Sequence, residues 1–303
     1  MLASLCYSAL QFAGLPALAR RLRDGGVVLC YHNVVAATDV SPWTRLGLHM
    51  ALPAFERQMR WLAAHYELIG LEQFVDRLAR PGSLRGTAAV TFDDAYAGVF
   101  DHAWPLLQAL GIPATVFVVA EAPERADDFW WDRPDVLQLY SRRRREHWLT
   151  TLQGDGARIV RSLTSGRGSD RPPLCCRPAV WQPITEAARS GLGIGAHSAT
   201  HRSLPTLDDR DLRREVSECG DLIRRRTGVA PAFFAYPYGR WNDRVRQAVR
   251  AAGYRAAFTL DYGHNAAGAD PWVLRRVNVP AGIGDVAFQA WTAGLSLRPP
   301  RAA

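Results

Sequence analysis

Two adjacent carboxylates, Asp93 and Asp94, follow the apolar run Ala88-Ala89-Val90-Thr91-Phe92. One such acid can hold a metal ion while its neighbour handles a proton. About a hundred residues later, His197 and His201 stand four apart in His197-Ser198-Ala199-Thr200-His201. In a helical turn that spacing puts both imidazoles on one face, where they could grip one ion. Two histidines and a carboxylate leave coordination positions open, which is the pattern of a catalytic rather than a structural metal site. Alone, Asp94 could simply cap the next helix, and histidines at this spacing often occur by accident. It is the combination that points to chemistry.

These residues need strand ends to carry them. The β-branched, apolar run 88–92 reads as a buried strand, and so does 27–31, which delivers His32. Further strands are expected around Leu68 and over 115–119, 192–196 (delivering His197), 232–235, 255–260 and 273–279. Helices are expected over 52–66, 72–78, 97–110, 182–190, 208–226, 243–252 and 285–293. Such alternation predicts an α/β fold with a parallel sheet, and seven or eight units suggest closure into a barrel. In such folds ligands gather at the carboxyl ends of the strands. Residues 121–180 break the rhythm and read as a partly helical insertion, with a mobile stretch over 154–173. Within it, the arginines 142–145 read as a solvated face. Trp130 and Trp131 could stack on a sugar or pin the insertion to the core.

Here the sequence resembles the polysaccharide deacetylases with a NodB-homology domain. Thr91-Phe92-Asp93-Asp94 matches the first motif of that family, and His197-Ser198-Ala199-Thr200-His201 matches its second, His-Ser/Thr-x-x-His. The resemblance covers about 27–279. It implies a distorted (β/α)7–8 barrel of the NodB-homology type, a single domain over 25–303 with the insertion at about 121–180. It also implies metal-dependent removal of an acyl group from a sugar, usually acetyl from an amino sugar. By the same resemblance Asp94, His197 and His201 are the metal ligands and Asp93 the general base. The third motif, Arg-x-Pro-Tyr, is only partly kept in Ala235-Tyr236-Pro237-Tyr238. The Tyr238 N–H is expected to serve the oxyanion, and Tyr236, with Trp130 and Trp131, to contact substrate. The missing arginine must come from elsewhere, and Arg276 in Leu274-Arg275-Arg276-Val277 is chosen to steady the base. No Leu-x-His follows Trp272 to supply the acid. Tyr31-His32, however, resembles an early Tyr-His in the permuted deacetylases of poly-N-acetylglucosamine. His32 is therefore the expected proton donor, with His264 as fallback.

The whole chain sets outer bounds. Its 303 residues are 48% hydrophobic and carry a formal charge of +8, nearly all from arginine. That charge suits an anionic partner or merely solvated faces, and with no nucleic-acid-binding signature no nucleic acid partner is expected. Five cysteines without a CxxC pair exclude a disulfide framework and favour a reducing compartment. Residues 1–24 read as an amphipathic helix whose arginines (Arg20, Arg21, Arg23) follow its apolar part, the reverse of a secretory signal. It is expected to pack on the domain or to lie peripherally on a cytoplasmic leaflet.

The expectation is thus a cytoplasmic, metal-dependent N-deacetylase. Zn²⁺ is the first choice of ion, and Co, Ni, Fe or Mn also suit the ligands. The expected partner is a carbohydrate: a polymer, an oligomer or a lipid-linked amino sugar of exopolysaccharide, O-antigen or glycolipid biosynthesis. The alternatives are a deformylase, an O-acetyl esterase, or a carbohydrate-binding barrel without turnover.

Overall fold

The computed structural model describes residues 2–36, 46–82, 84–125, 127–163 and 171–297. Ten strands are present among them: β1 (Val27–Tyr31), β2 (Asn33–Val35), β3 (His49–Ala51), β4 (Glu67–Leu68), β5 (Thr87–Phe92), β6 (Ala114–Val118), β7 (Gly193–Ala196), β8 (Phe233–Ala235), β9 (Ala256–Phe258) and β10 (Val277–Asn278). Eight form one sheet in the order β10-β1-β5-β6-β7-β8-β9, with β4 beside β5, and β2 pairs separately with β3. Every ladder is parallel. Between β9 and β10 the circle closes only through residues just ahead of β10. Phe258 bridges Leu274, and the Leu274 N–H donates to the Ala257 carbonyl at 2.9 Å. The barrel is therefore distorted on this side, and the α/β architecture matches the expectation.

Strand parity decides what enters the lumen. Val27, Leu29 and Tyr31 of β1, and Ala88, Val90 and Phe92 of β5, face the surrounding helices in the larger core. Val28, Ala89, Phe117, Ala235 and Phe258 face inward and share a second core with Leu71, Phe74 and Leu78, contributed by the helix Leu71–Arg77 and its end. Phe74 lies against Gly26, just before β1, so this core plugs the amino end of the barrel. On β7 the inward positions are Gly193 and Gly195. A Cβ on Gly195 would collide with the Phe117 ring that fills the lumen there. With side chains alternating at period two, the next inward positions at the carboxyl ends are 32, 93 and 197.

Outside the barrel, helices Leu2–Phe12 and Leu15–Leu22 replace the single N-terminal helix expected. They break at Gly14, whose φ of 68° suits glycine, and Pro16 starts the second. No helix among the described residues is long and apolar enough to cross a membrane. The insertion contains helices Pro134–Leu139, Arg142–Thr150 and Gly156–Ser162. The last of these overturns part of the mobile stretch expected over 154–173, where Asp155 caps the turn through the Arg158 N–H. Residues 164–170 of that stretch lie outside the described residues.

Candidate metal and catalytic site

Each of three strand ends turns sharply into the same cavity. Six non-glycine residues among those described have positive φ, and five of them sit in these turns: Asp94, Ala95, Ser198, His201 and Tyr238. Such backbone costs on the order of 1–3 kcal/mol per residue and gathers where side chains must be aimed. His197 to His201 is accordingly not helical, contrary to the helical turn expected. The loop doubles back through two left-handed residues, Ser198 and His201, and still brings the two rings together. Asp94 caps nothing, since the helical stretch Val99–Ala103 begins after Gly98 without a side-chain cap.

Asp94, His197 and His201 converge as a triangle. The two Nε2 atoms are 3.1 Å apart, and Asp94 Oδ1 lies 3.3 Å from that of His201 and 3.5 Å from that of His197. Ligand atoms about 2.0–2.1 Å from a tetrahedral ion sit about 3.3 Å apart, so the edges fit one first-row divalent ion. His197 Nδ1 is 2.8 Å from the Ala235 carbonyl, so it donates there and its Nε2 presents a lone pair. Asp94 Oδ1 is buried and accepts no hydrogen bond. Lone pairs facing one another around an orphaned carboxylate oxygen call for a cation between them. Burial pushes both imidazole pKa values down, keeping them neutral, as ligands must be.

Asp93 lies beside this triangle, on the inward side of β5. Arg276 is fully buried and grips it with both ends of its fork, Nη1 to Oδ1 at 2.7 Å and Nη2 to Oδ2 at 2.8 Å. The Arg276 Nε–H donates to the Thr259 carbonyl, which fixes the fork in the lumen. The Cys30 thiol also donates to Asp93 Oδ2, at 3.4 Å. Burial alone would raise the Asp93 pKa, but Arg276 and the neighbouring histidines outweigh it and hold the carboxyl well below the ordinary range. His32 offers a ring nitrogen within 4.8 Å of both the Cys30 sulfur and an Asp93 oxygen. Burial draws its pKa down to about 4, against an upward pull from Asp93.

His32, Asp93, Asp94, His197 and His201 line one cavity together with Tyr238, Trp130, Trp131, Tyr140, Arg145 and three leucines. The family profile described as polysaccharide deacetylase matches residues 82–257, more than half of the chain. The chain belongs to the polysaccharide deacetylase family. It is a carbohydrate deacetylase, a hydrolase. It is similar to YxkH of Bacillus subtilis, whose name assigns it to the polysaccharide deacetylases, at 21% identity over 87% of this chain and 75% of the relative. It is 25% identical to the poly-β-1,6-N-acetyl-D-glucosamine N-deacetylase of Escherichia coli over 79% of this chain, which spans only 34% of that relative. In fold it resembles IcaB from Ammonifex degensii, with TM-score 0.62, 22% identity, and 89% and 98% of the two chains covered.

Not every expected site residue of the deacetylase reaches the cavity. Tyr236 shares the outward parity of Phe234, is fully buried in the outer core, and donates its hydroxyl to the Trp272 carbonyl at 2.8 Å. It cannot contact substrate. His264 is also elsewhere, its Nε2–H donating to the Thr292 carbonyl at 2.9 Å, which removes it as a fallback acid. Trp130 and Trp131 border the cavity but are buried. Trp131 stacks on Phe129 at 4.6 Å and its ring centre lies 4.5 Å from that of His201, and Trp130 donates to the Tyr238 hydroxyl at 3.3 Å. They pin the insertion and wall the cavity, and no open stacking platform results. Arg142 to Arg144 are exposed as expected, whereas Arg145 turns toward the cavity, 5.9 Å from the Tyr238 ring.

Two sets of supporting residues carry no local sequence signal. Glu215 is buried in a π-turn (Arg214–Glu218) and accepts both the Thr200 N–H at 2.8 Å and the Thr200 hydroxyl at 2.5 Å, holding the histidine loop. A buried chain of donors converges on Asp132. Asn33 donates to His49 Nδ1 (2.9 Å), so His49 Nε2–H donates to Asp132 Oδ1 (3.0 Å). Tyr96 donates to Asp132 Oδ2 (2.5 Å) and accepts from Trp131 (2.7 Å).

Proposed function

We propose that the protein is a metal-dependent N-deacetylase of an N-acetylated amino-sugar polymer or oligomer, acting in exopolysaccharide synthesis. The observation that carries this is the side-by-side placement of an orphaned Asp94–His197–His201 triangle and an Arg276-clamped Asp93 in one cavity. The relative named for poly-β-1,6-N-acetyl-D-glucosamine supports the substrate class. Five free cysteines support a reducing, cytoplasmic compartment, and residues 25–303 are read as the catalytic unit.

A divalent ion held by Asp94, His197 and His201, Zn²⁺ by first choice, would supply Lewis acidity, polarising the acyl carbonyl and acidifying a water molecule. Asp93, kept ionised by Arg276, takes the proton as that water attacks. Tyr238, held left-handed at the cavity wall, offers its N–H to the oxyanion; one such donor is typically worth about 3–4 kcal/mol. His32 is neutral at rest because burial dominates its pKa. Negative charge growing on the acyl carbon's oxygen raises that pKa, so His32 takes up the proton that Asp93 drew from the water and gives it to the departing amine nitrogen. Water and amide are consumed, and acetic acid and the amine are released, which in neutral water are acetate and the protonated amine.

The test joins metal analysis to acetate release from N-acetylglucosamine oligomers. Wild type is expected to hold about one ion per chain and to release acetate. His197→Ala should lose the ion, and Asp93→Asn should keep it while kcat drops about 10²–10⁴-fold. Metal binding with formate released only from N-formylated sugars, or acetate only from O-acetylated ones, would replace the substrate assignment. Metal without any turnover would leave a binding barrel.

A further inference from the structure

We propose that the N-terminal helical pair docks the protein on an anionic lipid surface, with the catalytic mouth turned toward water. The carrying observation is an outward apolar stripe. Phe12 is 96% exposed, Leu15 40%, Leu18 51% and Leu22 69%. Leu15, Leu18 and Leu22 follow the spacing of one helix face. Among the described residues only eight large apolar side chains are exposed, and these four fall within 12–22. Scattered exposed leucines need no explanation, but such a concentration does.

The helices cannot turn this face inward, because their other side is tied down. The Tyr7 hydroxyl accepts the Trp291 indole N–H at 2.7 Å and the Leu297 N–H at 3.1 Å. Arg23 donates to the Gly294 carbonyl at 3.1 Å, and Arg20 lies 5.2 Å from the Trp61 ring centre. Charge selects the occupant. Residues 1–23 contain Arg20, Arg21 and Arg23 and no acid. An apolar stripe alone would serve a protein partner equally well, whereas the exposed Arg21 between Leu18 and Leu22, with no acid in 1–23 to offset it, matches acidic headgroups. The helices, 11 and 8 residues long, are suited to lie on a bilayer rather than cross it.

The same contacts set the orientation. Arg23 stands just before the amino end of β1, and Tyr66, against Arg20, just before β4. All strands run parallel, so the docking face lies at the amino end of the barrel and the cavity at the carboxyl end. A surface-bound molecule would therefore work on a chain in the aqueous phase.

Sedimentation of the full chain with phosphatidylcholine vesicles, with and without one third phosphatidylglycerol, tests the proposal without reference to activity. Binding is expected to the anionic vesicles only and to weaken with salt. Leu18→Glu/Leu22→Glu should lower it at least tenfold, and Arg21→Glu severalfold, with unchanged circular dichroism and unchanged turnover of soluble oligomers. Equal binding by wild type and the double variant, or no binding to anionic vesicles, would overturn it. So would a wild-type dimer in analytical ultracentrifugation that the double variant converts to monomer, since the stripe would then be a self-interface.

Discussion

At the scale of single residues, the Asp93–Arg276 pair sets the chemistry. A buried carboxylate without a partner would take up a proton, and a protonated Asp93 is no base. The guanidinium fork supplies two charge-assisted bonds at 2.7 and 2.8 Å. Lysine would keep the charge but lose the fork. Arg276→Lys is therefore expected to lower kcat about tenfold or more while KM and metal content stay near wild type. Arg276→Met leaves the carboxylate alone in the lumen, which should cost about 3–5 kcal/mol, read by urea unfolding. Equal kcat for wild type and Arg276→Lys would remove the arginine from the reaction and leave it a packing role.

At the scale of elements, the site is built by turns that depart from regular structure. Glu215 holds the Thr200 end of the histidine loop, so its loss should loosen His201 without unfolding the barrel. Glu215→Gln turns one acceptor into a donor facing the Thr200 hydroxyl or N–H. Metal affinity is expected to fall about 10–100-fold, measured by competition with a chromophoric chelator, with the melting temperature nearly unchanged. An unaltered affinity would show that the left-handed residues hold the loop unaided. The ends of β5 and β7, and the acids and histidines on them, were legible because apolar runs and motif spacing are local. Tyr236 was misplaced although period-two parity with Phe234 already points it outward. Glu215 and the Asn33–His49–Asp132–Tyr96 chain were not legible, because their partners are brought together only by folding. Arg145 was hidden in a charged run whose other members are solvated.

At the scale of the whole molecule, the two ends of the barrel titrate differently. The carboxyl end holds charges in a chemical balance, whereas the amino end is closed by apolar packing and by the join between His264 and the last helix, Asp285–Thr292. Burial, reinforced by Arg23, draws the His264 pKa from 6.5 down to about 4. Between those values the unfolded chain binds a proton that the folded one refuses, so stability falls as pH drops through this window. At pH 4.5 the loss from this one residue is about 2 kcal/mol after allowing for its partial exposure. Glutamine can still donate to the Thr292 carbonyl but does not titrate. His264→Gln should thus lose less stability than wild type between pH 7 and pH 4.5 in urea unfolding, while the two proteins differ little at pH 7. Because helix Leu2–Phe12 packs on the same last helix, amide exchange in wild type should speed up there first on acidification. Parallel pH dependences for the two proteins would place the acid sensitivity elsewhere, in other buried histidines of the same sign such as His32.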